Sequence, residues 1–412
     1  MSARSFDQWT LGSAFTAALF GLPIMVVVSF IFVPADDIWR HLASTVLPDY
    51  ISNSISLVIG VALLALVMGV ATAWLTSMCE FTGRSLLQWA LLLPLAAPAY
   101  IIGFTYAGLL SSTGPLQTGL RFYTGWNYGD YWFPEIRSLS GAVFVLALVL
   151  YPYVYMLSRA AFLTQSVCVL EVSRTLGCGP WRSFFSVALP LARPAIVAGL
   201  TLTAMETLAD YGTVQYLGLS TFTTGIFRSW LGMHNVAAAA QLATLLLGFI
   251  AVLIWLERFS RQRARYHHTS SRYSQLPRYQ LRGGSKICAL LACALPVLLG
   301  FIIPVTQLAA WTLQTYNNSV NSGFYILLWN SLWLASVSAI LVVGMALFLG
   351  YAQRLRTSAL IRGLTRITAL GYAVPGTVIA LGVVILAGWL DHHNITGWLI
   401  SGSFVALIFA YL

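Results

Sequence analysis

Long apolar runs broken by short polar segments set the pattern of this chain. Charge-free stretches occupy residues 50 to 79, 85 to 120, 138 to 158, 229 to 256, 287 to 353 and 367 to 390. Each matches or exceeds the roughly 20 residues that carry a helix across a bilayer core, and the longest must hold two spans. The apolar positions are continuous and lack the two-residue alternation of membrane β-barrel strands. Helical spans are therefore predicted at about 13–33, 55–76, 89–110, 141–157, 195–217, 236–256, 287–306, 332–351 and 367–387, with a tenth beginning near 399. The first run, Thr10 to Val33, is longer than a signal-peptide core and has no small-x-small cleavage pattern before Asp36, so it reads as a retained span.

Composition sharpens this picture into an all-α, polytopic integral membrane protein. Of 412 residues, 58% are hydrophobic and 8% charged, against roughly 25% charged in soluble domains. With the N terminus in the cytoplasm, the inner loops hold Arg4, Arg84, Arg159, Arg174, Arg182, Arg193, the eight basic residues of 258 to 286, and Arg354, Arg356, Arg362 and Arg366, which is 18 of the 22 Lys and Arg. The outer loops hold Arg40, Arg121, Arg137 and Arg228. That asymmetry is the positive-inside rule, so the net charge of +10 reflects topology toward the lipid bilayer and implies no nucleic-acid partner. The five cysteines fall in inner loops or near inner ends of spans, so structural disulfides are not expected.

The polar segment 257–286, "ERFSRQRARYHHTSSRYSQLPRYQLRGGSK", has no apolar periodicity and reads as a basic inner linker, equally able to rest on anionic headgroups. Its adjacent His267 and His268 lack Cys or acidic company and carry no metal signature. Sliding the sequence on itself by 277 positions pairs Asn53-Ser54 with Asn330-Ser331 and Pro98 with Pro375, and Leu57, Ala62, Leu64 and Met68 with Leu334, Ala339, Leu341 and Met345. The chain thus divides into a first six-span module over 1–256, the linker over 257–286, and a second module over 287–412 with the same orientation, as expected of parallel repeats. A free carboxylate at Leu412, inside an apolar stretch, would be expensive in lipid. The second module is therefore expected to be truncated, with about three of twelve spans incomplete or missing.

One inner segment, 158–194, stands apart. "LEVSRTLGCGPWRSFFSVALP", 170 to 190, can form a short amphipathic helix, a turn in which Gly177 and Gly179 allow left-handed backbone, and a second helix begun by Pro180. The spacing of Glu171 and its triplet, three residues, Gly177, nine residues, then Val187-x-Leu189-Pro190 resembles the EAA loop of ABC-importer permeases, whose pattern is EAA, three residues, Gly, nine residues, Ile-x-Leu-Pro. Here the triplet is Glu-Val-Ser, and Val187 replaces Ile. The resemblance implies a coupling helix seated in a groove of a separate cytoplasmic ATP-binding subunit, itself a homodimer. Carried over, Glu171 anchors the contact, Gly177 supplies the turn, Arg174, Thr175, Trp181 and Arg182 face the partner, and Leu189-Pro190 begin the return to the membrane. A plainer alternative is a loop lying on the headgroups with Trp181 as interfacial anchor.

Two modules fused through a basic linker, together with "METLADYGTVQYLG" at 205 to 218, resemble ferric-iron importer permeases, and thiamine permeases share the duplicated architecture. The resemblance implies a multi-pass subunit of the bacterial inner membrane that receives its substrate from an extracytoplasmic binding protein and works by alternating access. It also implies no cofactor on this chain, with ATP hydrolysed by the partner. Consistent with that, a phosphate-binding loop needs a Lys within G-x-x-x-x-G-K-[ST], and the sole Lys286 sits in "RGGSKI". The chain reads as a transport subunit and not an enzyme; a membrane-embedded hydrolase would need motifs it lacks.

Candidate pathway residues are Glu206 and Asp210, at an i, i+4 spacing that places both carboxylates on one helix face, and Pro98 and Pro375, which with Pro94 are expected to bend spans three and nine and free backbone toward the path. The carboxylates could equally be structural, hydrogen-bonded to a neighbouring helix. If they instead drove ion coupling, the chain would be a secondary transporter or channel, a reading that leaves the Glu171-to-Pro190 spacing without a purpose. The aromatic outer loop "RFYTGWNYGDYWFPEIR", 121 to 137, could receive the binding protein, although interfacial belts favour the same residues. Asp391, His392 and His393 could touch a metal ion but read better as a surface loop.

Overall fold

A computed structural model gives the fold and describes residues 7–34, 36–164, 175, 177, 179–262, 278–356, 358–395 and 397–412. The helices in chain order are α1 (Gln8–Ser29), α2 (Asp36–Thr45), α3 (Leu47–Met78), α4 (Arg84–Ala90), α5 (Ala99–Leu110), α6 (Pro115–Thr124), α7 (Leu139–Thr164), α8 (Pro180–Ser183), α9 (Leu189–Ala209), α10 (Gly212–Tyr216), α11 (Phe222–Phe227), α12 (Val236–Gln262), α13 (Gly284–Val297), α14 (Ile303–Ser319), α15 (Ser322–Leu355), α16 (Ala359–Ala369), α17 (Gly376–His392) and α18 (Phe404–Tyr411). Extended structure among the described residues is limited to β1 (Cys79–Glu80) and β2 (Tyr279–Gln280), which pair in parallel. A nearly all-helical backbone is what lipid demands, because each N–H and C=O must find its partner within the segment.

Seven continuous helices among the described residues are long and apolar enough to span, and two bent pairs raise the number to as many as nine. The bent pairs are the predicted spans three and nine. Arg84–Ala96 turns by 90° into Ala99–Thr124, and Ala359–Ala373 by 109° into Gly376–His392. Both breaks have one chemical cause. Proline has no N–H and forces the residue before it out of helical geometry, so Ala97 (φ −108°, ψ 129°) and Val374 (φ −90°, ψ 128°) are extended. Pro98 (φ −58°, ψ 137°) and Pro375 (φ −55°, ψ 137°) then stand at the start of α5 and α17. The two prolines paired by the sequence repeat thus stand in the same local backbone.

Two boundaries differ from the sequence reading. Span five, expected to reach residue 217, stops at Ala209, where Asp210 turns extended (φ −65°, ψ 127°). At the linker, α12 runs to Gln262, past the expected span end at 256, and Tyr279–Gln280 near the far end of the segment form a strand.

The chain separates into two compact units that do not follow its sequence halves. One unit comprises Met1–Leu47, Gly225–Ile250 and Thr312–Leu412. In it α1 packs along α16 and α17, so closely that a Cβ at Gly382 would lie 2.4 Å from the Pro23 carbonyl oxygen. The Gln241 side chain ties off the end of α1, donating to the carbonyls of Phe30 (3.0 Å) and Val33 (2.7 Å) while accepting from Trp39 Nε1. At the other end of α1, Arg356 donates to the Asp7 carboxylate (2.8 Å), which holds that carboxyl below its ordinary value. The Arg356 pairing therefore contributes above the unfolded carboxyl range of about 4 and fades as pH falls through the lower folded value. Asp7→Asn should melt slightly earlier than wild type at neutral pH, with the gap closing in acid; thermal unfolding in detergent across pH checks this.

The second unit comprises Pro48–Thr224 and Ala251–Trp311. Here α7 and α9 lie against each other with glycine at the contact, a Cβ at Gly199 falling 2.8 Å from Val154 Cα, and α3 meets the same stretch of α7 through Gly69, whose Cβ would sit 2.9 Å from Tyr155 N. Small residues are how helices approach closely in lipid, where burial against hydrocarbon gives little drive. The first span of the second half belongs to this unit. Ala289, Cys293 and Val297 of α13 join Trp74, Met78, Leu91 and Tyr151 in one buried cluster, and a π-turn at Leu298–Ile302 offers the Leu299 carbonyl to Tyr106 Oη at 2.6 Å.

Candidate functional site

From Pro180 onward, the described part of the segment between α7 and α9 is built around one buried aromatic, Phe184. Glu171 and Arg174 lie outside the described residues; Thr175 and Gly177 lie within them. Gly177 takes φ +81°, the left-handed region that favours glycine. Gly179, expected to share that geometry, is not among the positive-φ residues. From Pro180 the chain winds through α8 and a π-turn at Phe184–Ala188 directly into α9, and such π-turns recur at functional positions. Phe184 is buried, its ring 4.8 Å from Trp74 and 6.4 Å from Phe162. Its neighbours point the other way. Trp181 is 75% exposed and stacks at 6.4 Å on Phe185, itself 59% exposed, and Arg182 is exposed beside them. Leu189 is half-buried and Pro190 exposed in the first turn of α9. The result is an apolar, cationic platform held by a fixed anchor. Sequence reasoning named Trp181 and Arg182 but missed Phe184, whose signal was the Phe-Phe pair in "WRSFFSV".

The broken third span is stabilised by α7. Beyond α4 the backbone tightens, with Leu92 N–H bonded to Trp89 O and Leu95 N–H to Leu92 O, so the Gln88 and Leu91 carbonyls lose their α-helical donors. Tyr155 Oη donates to Gln88 O (2.9 Å) and Tyr151 Oη to Leu91 O (3.0 Å). The Arg159 Nη2 group adds a bond to Gln88 Oε1 at 2.9 Å. Buried carbonyls without donors are costly, so Tyr151→Phe should lower stability by about 1–3 kcal/mol. Thermal unfolding of the detergent-solubilised protein measures it; an unchanged midpoint would show that the carbonyl has another donor.

At the far end of α9 the two candidate carboxylates part company. Helical backbone stops at Ala209, so the shared-face geometry expected of Glu206 and Asp210 does not continue through Asp210. The Asp210 carboxylate instead accepts from Thr213 N (3.0 Å), Thr213 Oγ1 (2.9 Å) and Val214 N (3.1 Å), capping α10. Its carbonyl accepts from Thr223 Oγ1 at 2.8 Å. The turn that follows is clasped from α3: Asn53 Nδ2 donates to the Ser220 carbonyl (2.9 Å), and Ser54 Oγ accepts from Phe222 N (3.2 Å). Sequence comparison had flagged Asn53-Ser54 as a repeated pair without seeing this role. In the second half, Asn330 and Ser331 are exposed on α15. Glu206 is partly buried one turn earlier on α9.

The aromatic loop after α6 encloses a polar pocket of about 520 Å³ lined by Ser111, Ser112, Gln117, Tyr131, Glu135 and Arg137, among others. Gln117 organises it, donating to Leu110 O and accepting from Tyr131 Oη, both at 2.8 Å. Asp391 is turned onto backbone, accepting from Ile400 N (2.7 Å) and Ser401 N (3.0 Å). Among the described residues no three His, Cys, Asp or Glu side chains gather as a metal site. His267 and His268 lie outside them.

Comparison with known proteins shows the family. Residues 66–266, from within α3 to just past α12, match the family described as the inner membrane component of binding-protein-dependent transport systems. The chain is 30% identical over 212 residues to the molybdenum transport system permease protein ModB of Escherichia coli, which covers 49% of this chain and 90% of that protein. It is 26% identical over 375 residues to the Fe(3+)-transport system permease protein FbpB 2 of Haemophilus influenzae, covering 89% of this chain and 70% of that protein. It is also 30% identical over 151 residues to the sulfate transport system permease protein CysT of Escherichia coli, covering 37% of this chain and 52% of that protein.

Proposed function

Because the chain belongs to the inner membrane components of binding-protein-dependent transport systems, we propose that it is the ferric-iron permease of an ABC importer, passing Fe(III) through the membrane by alternating access. The single observation that favours iron is extent. Similarity to the ferric-iron permease runs along 89% of this chain, through both halves, whereas similarity to the molybdenum permease runs along 49%. A path for a cation would use Glu206 and the backbone opened at Pro98, a break that Pro375 repeats in the second half. Asp210 would shape the wall by capping α10.

In this reading the N terminus is cytoplasmic, and the platform of Trp181, Arg182 and Phe185, with Glu171, Arg174 and Thr175 before it, docks in the cytoplasmic ATP-binding subunit. An exposed stacked aromatic pair beside a cation fits a groove in a soluble partner, since aromatic and Arg side chains dominate such contacts. The anchor of Phe184 on Trp74 and Phe162 gives that contact a grip on α3 and α7. On the opposite side, the pocket around Gln117 and Tyr131 would receive the extracytoplasmic binding protein. ATP would be hydrolysed by the partner subunit.

Uptake into vesicles carrying the permease with its ATPase and binding protein tests the reading. ATP-dependent accumulation of Fe(III), unaffected by excess molybdate or sulfate, is the expected result. Accumulation of either oxyanion in place of iron would reassign the substrate, and transport without any ATPase would replace the importer by an ion-coupled carrier.

A further inference from the structure

The last residues of the linker are seated on the first half of the chain in a fixed register. Tyr279 and Gln280 pair in parallel with Cys79 and Glu80, and Leu281 N–H extends the pairing to the Glu80 carbonyl at 3.1 Å. The Glu80 carboxylate lies between two guanidinium groups, Arg278 Nη1 at 3.0 Å and Arg84 Nε at 3.3 Å, while Arg84 Nη1 also donates to the Thr76 carbonyl at 2.9 Å. Tyr279 sits 6.5 Å from Trp74. That indole is the same one that receives Phe184, the anchor of the exposed platform, and Phe162.

On its other side the strap has no slack. Gly283 (φ 56°, ψ −134°) turns it directly into α13 at Gly284, in backbone geometry that a β-carbon would oppose. α13 then buries Ala289, Cys293 and Val297 in the cluster that holds Trp74 and Phe184. A linker serving only to join two modules needs neither register, nor a carboxylate shared by two arginines, nor a seat on the ring beneath the platform.

We propose that residues 278–283 form a drive strap, through which displacement of the platform passes from Phe184 to Trp74, to Tyr279, and into α13. The first span of the second half would then move with the first-half coupling segment. Glu80, Arg278 and Tyr279 are positioning residues in this scheme: they touch neither substrate nor ATPase. The inference rests on the reading of the platform as the ATPase contact.

The test uses the complete permease with its ATPase and binding protein in proteoliposomes, measuring uptake and ATP hydrolysis in the same vesicles. Glu80→Gln combined with Tyr279→Ala should lower substrate moved per ATP by about fivefold or more, the lower end of ordinary coupling effects, while the ATPase still co-purifies and hydrolyses. Tyr279→Phe, which keeps the ring, should retain the wild-type ratio. A two-glycine insertion between Gly283 and Gly284 leaves the pairing intact but slackens its link to α13, and should lower the ratio as well. A wild-type ratio in the combined variant or in the folded insertion variant would overturn the strap, as would Tyr279→Phe losing as much as the combined variant. Wild-type vesicles without ATP-driven uptake would remove the importer reading itself, a failure distinct from any strap variant.

Discussion

Gly177→Pro is expected to abolish ATP-driven uptake, with a loss of at least about a hundredfold, while the protein still inserts and folds. Proline locks φ near −65°, whereas Gly177 stands at +81°, so the chain must leave the turn that aims Trp181 and Arg182. The expected size follows from docking arithmetic, in which each 1.4 kcal/mol of misplaced contact is about tenfold. Two milder substitutions isolate the cause. A Cβ at Gly177 would meet nothing within 4 Å among the described residues, so Gly177→Ala probes chiefly backbone conformation, at about 1–2 kcal/mol for a left-handed L-residue, and should give an intermediate loss. Gly179 likewise has no neighbour within 4 Å among the described residues and no positive φ, so Gly179→Ala should be nearly silent. The measurement is ATPase activity co-purifying with the permease in gentle detergent. Full co-purifying activity with Gly177→Pro would mean that the partner docks elsewhere.

The spans were legible because hydrocarbon tolerates one backbone solution for an open chain, and the runs of apolar residues are long enough to need it. The breaks at Pro98 and Pro375 were legible for an equally local reason, although proline produced turns of 90° and 109° where bends were expected. What escaped the sequence was set at a distance. The end of α9 at Ala209 is masked by apolar residues that continue through "GTVQYLG". The Asp210-x-x-Thr213 cap signal was present there, but hydropathy outweighed it. The pairing of Tyr279–Gln280 with Cys79–Glu80 spans two residues a strand, too short for any periodicity to register. The grouping of α1 with α16 and α17, and of α13 with α3 and α7, depends on contacts hundreds of residues apart. At Phe184 and Phe185 the two adjacent rings are chemically equal in sequence, and the packing of Trp74 and Phe162 decides which one is buried.

Asp210→Ala and Glu206→Gln should fail in different ways, and the difference separates wall from path. Removing the Asp210 carboxylate strips the acceptor from two backbone N–H groups and from the Thr213 hydroxyl. With each buried donor left unpaired costing about 1–3 kcal/mol, the variant should lose about 3 kcal/mol or more, partly offset by any water that enters. The turn held by Asn53 and Ser54 would loosen with it, so uptake should fall because the fold around α10 fails. Asp210→Asn keeps one acceptor oxygen and should fall between. Glu206→Gln keeps the size of the side chain, removes its charge and turns one acceptor oxygen into a donor, at a position on α9 one turn before the cap. If Glu206 meets the cation, its uptake should drop by far more than any change in the unfolding midpoint explains. Melting curves in detergent, set beside uptake in vesicles, read both quantities on the same preparations. A wild-type midpoint for Asp210→Ala would show that α10 needs no cap from that carboxylate. Normal uptake by Glu206→Gln would remove it from the path and leave the backbone opened at Pro98 as the surviving candidate.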